Sequence, residues 1–160
     1  MSLNGKMLYD PLGIQEEFVM FYKSLMGSSA GKLPAINAQV MKRGPTLTKQ
    51  QRLQLYTAVA DQEIYEGLKS IGNDKAPGID GYNAFLFKHT WQIIKGDVTE
   101  AVKGFFTTGN LHKDFNCTLV SLIPKVQNPK TVKEYRPIAC CNVMYKIISK
   151  VLTNRLHGVI

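Results

Sequence analysis

The spacing of apolar residues changes character once along this chain, and that change limits the possible folds more than any other feature. Up to Gly109 the apolar side chains return every three or four positions, the period of an amphipathic helix. Beyond Cys117 the pattern becomes two short, continuous runs, residues 118–123 and 136–141, the first stopped by Pro124 and the two separated by about a dozen polar or turn-forming residues. Two antiparallel strands joined by a basic loop, set in a mostly helical chain, is the α+β arrangement this predicts.

The helical part divides by its punctuation. Asp10-Pro11 reads as an N-cap with proline at the first helical position, followed by Phe18, Phe21, Tyr22, Leu25 and Met26 at helical spacing, and residues 27–31 (GSSAG) end that helix. Residues 32–45 carry two prolines and little periodicity, so a surface linker is expected. Thr48 and Gln51 fit a capping box. Residues 61–70 form a helix burying Ile64, Leu68 and Ile71, with Gly72 near its end. Leu86, Phe87, Thr90, Trp91 and Ile94 mark one stripe, interrupted at Gly96-Asp97, and Val98, Ala101, Val102, Phe105 and Phe106 mark another. Aromatics in such stripes are read as core rather than as a base-stacking platform. Asn142 caps a last helix whose apolar face is wide: Tyr145, Ile148, Leu152 and Leu156 with Met144, Ile147 and Val151 beside them. A face of that width seeks a partner surface, and this chain is expected to leave it without one.

With 160 residues of which 44% are hydrophobic, the chain has material for one modest globular domain. No stretch approaches a membrane span and the first ten residues lack the apolar run of a secretory signal, so no membrane partner and an intracellular location, nucleus or cytoplasm, are expected. Cys117, Cys140 and Cys141 fit neither a disulfide framework nor a zinc site, and read as reduced thiols. The net charge of +8 is uneven: from Leu111 onward eight basic residues stand against two acidic ones. That field favours phosphate-bearing partners.

Two constellations can carry chemistry. In Lys75-Ala76-Pro77-Gly78-Ile79-Asp80-Gly81, proline fixes one φ, Gly78 and Gly81 admit close approach of another backbone, Asp80 can accept from nearby amides, and Lys75 offers a phosphate contact; an ordinary turn would look the same. Lys125 and Arg136 stand at facing ends of the expected strands, so a hairpin brings them onto one rim with Lys130 and Lys133 in the loop. A point charge beside a planar fork suits a triphosphate. The alternative is that Lys125 is solvated and Arg136 pairs with Glu134 or a helix carboxylate.

In order and spacing, the loop at residues 75–81, the run ending Ile123-Pro124-Lys125 and the motif Tyr135-Arg136-Pro137-Ile138 resemble the opening motifs of the reverse transcriptase of LINE-type, non-LTR retrotransposons, in their plant-like form. Phe105-Phe106-Thr107-Thr108-Gly109, Asn116-Cys117-Thr118 and residues 140–150 (CCNVMYKIISK) strengthen the likeness, and residues 33–36 (LPAI) and 43–45 (RGP) look like the segment ahead of the polymerase core. Ile79 stands where that family more often has proline. The resemblance implies that residues 1–72 are a helical extension and residues 73–160 part of a reverse transcriptase domain, the fingers of a right-hand polymerase with its small hairpin. It places the loop (Lys75, Gly78, Asp80, Gly81) by the template, with Lys130 and Lys133 as further nucleic-acid contacts. It makes Lys125 and Arg136 the residues that hold the incoming nucleotide's phosphates.

By the same resemblance the partners are an RNA template, a DNA primer and deoxynucleoside triphosphates, and the complete enzyme uses Mg²⁺ held by palm aspartates. Nothing here matches those aspartates. Beyond Gly96 the acids are Asp97, Glu100, Asp114 and Glu134, each placed as a cap or surface charge. The expectation is therefore a truncated RNA-directed DNA polymerase domain without its palm, with no metal or catalytic residue of its own. It would bind template and nucleotide phosphates without catalysing alone. Two other readings stay open, a non-catalytic basic RNA-binding module and an inert relic.

Overall fold

The structure is a computed structural model that describes residues 8–27, 31 and 35–159. It is a mixed α+β fold, mostly helical, with one antiparallel hairpin. Among the described residues the α-helices are α1 (Pro11–Gly27), α2 (Ala38–Arg43), α3 (Lys49–Tyr56), α4 (Asp61–Lys69), α5 (Ala84–His89), α6 (Trp91–Thr108) and α7 (Val143–His157), and the strands are β1 (Thr118–Pro124) and β2 (Tyr135–Cys141). Residues 28–30 and 32–34, which carry part of the expected helix end and linker, lie outside the described residues.

The chain forms two compact units. One comprises residues 1–45 and 121–138, and so holds α1, α2 and the tip of the hairpin. Asp10 accepts the Gly13 N–H at 2.8 Å, the expected cap. Of the predicted stripe on α1, Tyr22 is buried and Phe18 and Phe21 half-buried, while Leu25 and Met26 are exposed. Phe18 meets Tyr135 edge to face at 5.0 Å, and the Tyr22 hydroxyl donates to the Tyr135 carbonyl at 3.4 Å. The aromatic face of α1 therefore braces the hairpin tip. In the segment expected to be linker, Asn37 accepts from the Gln39 and Val40 N–H groups and opens α2, whose residues are all exposed. The side chain of asparagine, not apolar periodicity, starts this short helix.

The second unit, residues 46–120 and 139–160, contains the core. Ile64 and Leu68 of α4, Val102 of α6, and Val143, Ile147 and Val151 of α7 are almost completely shielded from water. Gly67 lets α4 approach α7 closely, since a Cβ there would lie 3.4 Å from Val151 Cγ2 and 3.5 Å from the Ile147 carbonyl. The capping box of Thr48 and Gln51 forms in both directions, at 3.2 and 2.8 Å. Phe105 and Phe106 pack on this core, as the stripe predicts.

Two expectations need correction here. The expected break at Gly96-Asp97 does not occur: α6 runs through both, and the chain turns instead at Thr90. A lone helical glycine costs only about 1 kcal/mol, too little to stop a helix whose Val98 and Val102 are buried. The wide apolar face of α7 is also not left without a partner, for Met144, Ile147, Ile148 and Val151 are buried in this unit, and only Leu152 and Leu156 remain exposed. Cys117, Cys140 and Cys141 form no disulfide among the described residues.

Candidate nucleic-acid interface

The register of the hairpin sets the geometry of its basic tip. The Lys125 N–H donates to the Glu134 carbonyl at 2.7 Å, and at the other end the Thr118 hydroxyl meets the Cys141 thiol at 3.6 Å. Seven residues separate these contacts on each strand, so no bulge interrupts the ladder. Lys125 therefore faces Glu134, Ile123 faces Arg136, and the two-residue side-chain period puts Lys125 and Arg136 diagonally across one face of the ribbon.

Beyond the ladder the loop is held by its own backbone. Asn128 takes a positive φ of 55°, tolerable for asparagine ahead of Pro129. One carboxylate oxygen of Glu134 accepts the Lys130 N–H at 2.6 Å and the Thr131 N–H at 3.1 Å, and a 3₁₀ turn, Val132–Glu134, follows. Val132, the apolar residue between Lys130 and Lys133, is fully buried, and its turn packs against α1. These amide bonds hold the Glu134 carboxyl below its ordinary range. Glu134 is thus engaged by the loop backbone instead of by Arg136.

The cations fall into two groups. Lys125 Nζ donates to the Lys133 carbonyl at 2.7 Å, closing the base of the loop while its charge has no ion-pair partner among the described residues. Lys130, Lys133 and Arg136 are exposed and make no ion pair among the described residues. Four basic residues and one backbone-bound carboxylate thus occupy a dozen positions.

The loop at residues 75–81 belongs to the other unit. Gly81 has φ +74° and donates its N–H to the Gly78 carbonyl at 3.1 Å, while Asp80 accepts the Tyr82 N–H at 3.1 Å. Gly78 is buried, and the backbone it admits closely is the chain's own: a Cβ there would sit 2.5 Å from the Asn142 nitrogen. Asn142 accepts the Tyr145 N–H at 2.9 Å to cap α7 and donates to the Asp114 and Phe115 carbonyls at 3.1 Å each. Lys146 Nζ reaches back to the Ala76 carbonyl at 2.6 Å. Lys75, Ile79, Asp80 and Gly81 remain exposed on the outer side, beside the exposed Tyr82 and Phe85.

Sequence reading alone missed the anchors. Lys146 counted only as charge, Asn142 only as a cap, Tyr22 only as part of the α1 stripe and Tyr135 only as part of a motif, and Val132 had no role; an apolar residue between two closely spaced lysines was the available signal. Among the described residues no three His, Cys, Asp or Glu side chains come together as a metal-ligand set. No described helix is long and apolar enough to cross a membrane.

No protein-family model matches the chain. Over 157 residues, 98% of its length, the chain is 25% identical to the Transposon TX1 uncharacterized 149 kDa protein of Xenopus laevis, and it spans 12% of that protein. The chain is distantly related, along nearly its whole length, to one segment of a much longer transposon-associated protein.

Proposed function

We propose that this chain is a non-catalytic nucleic-acid-binding module of retroelement descent, which grips phosphate backbones through the tip of its hairpin. The observation that carries this is the basic tip, where Lys130, Lys133 and Arg136 stand exposed and the carboxylate of the loop itself, Glu134, is bound to backbone amides. Cations on a scaffolded ribbon read charge and spacing, not base identity, so binding is expected to be weak and indifferent to sequence. Single-stranded or duplex RNA is the expected ligand, with Lys75, Asp80 and Gly81 as a second contact region on the exposed side of their loop; Gly78, closed against Asn142, takes no part in it.

The finer reading places the module in the fingers of a LINE-type reverse transcriptase, with residues 1–72 upstream and 73–160 within the polymerase. It is supported by the motif order and by the distant transposon relative. On that reading Lys125 and Arg136 hold nucleotide phosphates, as their shared ribbon face allows. RNA template, DNA primer and deoxynucleoside triphosphates are then the ancestral partners. Mg²⁺ would supply two-metal stabilisation of the displacement in a complete enzyme, held by residues other than these. The chain itself is expected not to extend a primed RNA template.

The test is affinity against salt. With about three or four phosphates contacted, the logarithm of the association constant should fall against the logarithm of salt with a slope of roughly −2 to −3 on single strands. Reversing Lys130 and Lys133 to glutamate should flatten that slope and weaken binding far more than reversing Lys23 of α1. Salt-independent affinity, or equal losses from both reversals, would remove the hairpin tip from the interface.

A further inference from the structure

Within the second unit, the aromatic residues of the segment that leads into α6 divide into two sets. Phe87 and Trp91 follow its apolar stripe and pack on the core. Tyr82 and Phe85 fall outside that stripe, and they are 55% and 49% exposed. Phe85 stacks on the exposed His89 one helical turn later, with ring centroids 4.8 Å apart and planes 29° from parallel. A single exposed ring is commonplace. A pair already stacked at the surface, with another exposed ring just ahead of it in the chain, contributes little to the core and offers flat π-faces outward.

The backbone beneath these rings is fixed. Asp80 accepts the Tyr82 N–H at 3.1 Å and Asn83 accepts the Leu86 N–H at 3.0 Å, so the turn at Gly81 runs directly into α5, whose Ala84 is buried. Lys88 Nζ donates to the Ile71 carbonyl at 2.5 Å and to the Asn73 side chain at 2.8 Å, which fastens α5 to the end of α4. Rings on so short and well-tied a helix lose little freedom when a ligand meets them.

The charge of the segment selects the partner. Between Lys75 and Lys95 the one acid is Asp80, and Lys75, Lys88 and Lys95 make no ion pair among the described residues. Exposed rings in company with uncompensated cations suit a partner made of planar rings joined by phosphates. The rings also continue the contact region at Lys75, Asp80 and Gly81, since Tyr82 follows Gly81 directly. We propose that Tyr82, Phe85 and His89 form a base-stacking platform for single-stranded RNA. This rests on the reading of the chain as a nucleic-acid-binding module and narrows its ligand. In a duplex the bases already stack on one another, so only an unpaired stretch can lay a base on these rings. Every base has such a face, so the platform selects single strands without selecting sequence.

Titrating the full chain into a short oligouridine strand with 2-aminopurine at alternate positions, and into the same strand annealed to its complement, tests this. Stacking on a protein ring quenches 2-aminopurine, so the parent should dim the single strand and bind it more tightly than the duplex. Phe85→Leu keeps an apolar side chain but removes the ring. It should weaken single-strand binding about tenfold and reduce the quench, while the salt slope and the duplex affinity stay those of the parent. Tyr82→Ala should act in the same direction, and Phe85→Trp, which restores a ring, should bind at least as well as the parent. Circular dichroism and the urea midpoint should stay unchanged in all three. Lys130→Glu with Lys133→Glu should instead lower the salt slope on both ligands and leave the quench of the bound strand intact, so the hairpin tip and the platform fail separately. Single-strand affinity that both folded variants, Phe85→Leu and Tyr82→Ala, retain overturns the platform. So does an equal loss on the duplex, or 2-aminopurine that stays bright in the saturated complex. A parent that binds neither ligand overturns the platform and the module reading together.

Discussion

Gly78→Ala should destabilise the protein by about 3 kcal/mol, near the upper end of what overpacking costs in a closely packed site. The added methyl would stand 2.5 Å from the Asn142 nitrogen, 2.7 Å from its Cα and 2.9 Å from its Cβ. The first two are backbone atoms and cannot swing aside. Asn142 cannot retreat either, because its amide is tied to the Asp114 and Phe115 carbonyls and its oxygen caps α7. Movement would therefore loosen the helix that carries Ile147 and Val151 in the core. Gly81→Ala is the contrasting change: nothing lies within 4 Å of the new methyl, but φ is +74°, so only the backbone penalty of about 1–2 kcal/mol remains. Gly81→Asn should cost less, since asparagine enters that region more readily. Urea unfolding decides it, with a lower midpoint and unchanged slope expected for Gly78→Ala. If Gly81→Ala costs more than Gly78→Ala, the close approach at Asn142 is not what fixes this loop.

That contrast shows what the sequence could and could not tell. Two glycines three positions apart in one motif look alike in sequence, and both were read as admitting the close approach of another backbone. Gly81 meets no such approach and serves a positive φ instead. Gly78 is required by Asn142, which lies more than sixty positions away, and no local pattern carries a contact of that separation. Local signals did carry the rest: the caps at Asp10, Thr48 and Asn142, the stripe of Ile64 and Leu68, and both strands appear where side-chain chemistry and period put them. The failures share one cause. Whether α6 breaks at Gly96, or whether the broad face of α7 is covered, depends on what packs opposite, and tertiary packing decided both against the local reading. At the hairpin tip, composition located the lysines, but only the bonds of Glu134 to backbone amides show why Arg136 is left unpaired.

Arg155 illustrates the same point for charge, because one of the eight cations of the basic segment is balanced within the fold. Its Nε and one terminal nitrogen hold the two Glu63 carboxylate oxygens at 2.7 and 2.8 Å, and its terminal nitrogens also donate to the Leu55, Thr57 and Ala58 carbonyls at 3.3, 2.6 and 3.2 Å. One side chain on α7 thereby fixes the connection between α3 and α4. Arg155→Ala should cost about 2–3 kcal/mol: several charge-assisted bonds are lost, but Thr57 and Ala58 are exposed and their carbonyls recover water, which keeps the loss below that of a fully buried pair. Arg155→Lys should recover little, since an ammonium cannot span the carboxylate and three carbonyls together. The guanidinium bond is the largest influence on Glu63 and holds its carboxyl below the ordinary value of 4.5. A depressed folded value means that the pair stabilises fully above pH 4.5 and loses its contribution as pH falls through the lowered value. The stability gap between the parent and Arg155→Ala should therefore be widest near neutrality and narrow in acid, and Glu63→Gln should reproduce the pattern. Because this charge is neutralised, folded Arg155→Ala should bind RNA with the parent's salt slope. A gap that stays constant from neutral to acid pH would show that Arg155 acts through the carbonyls alone, and a reduced slope would place it in the interface with the hairpin lysines.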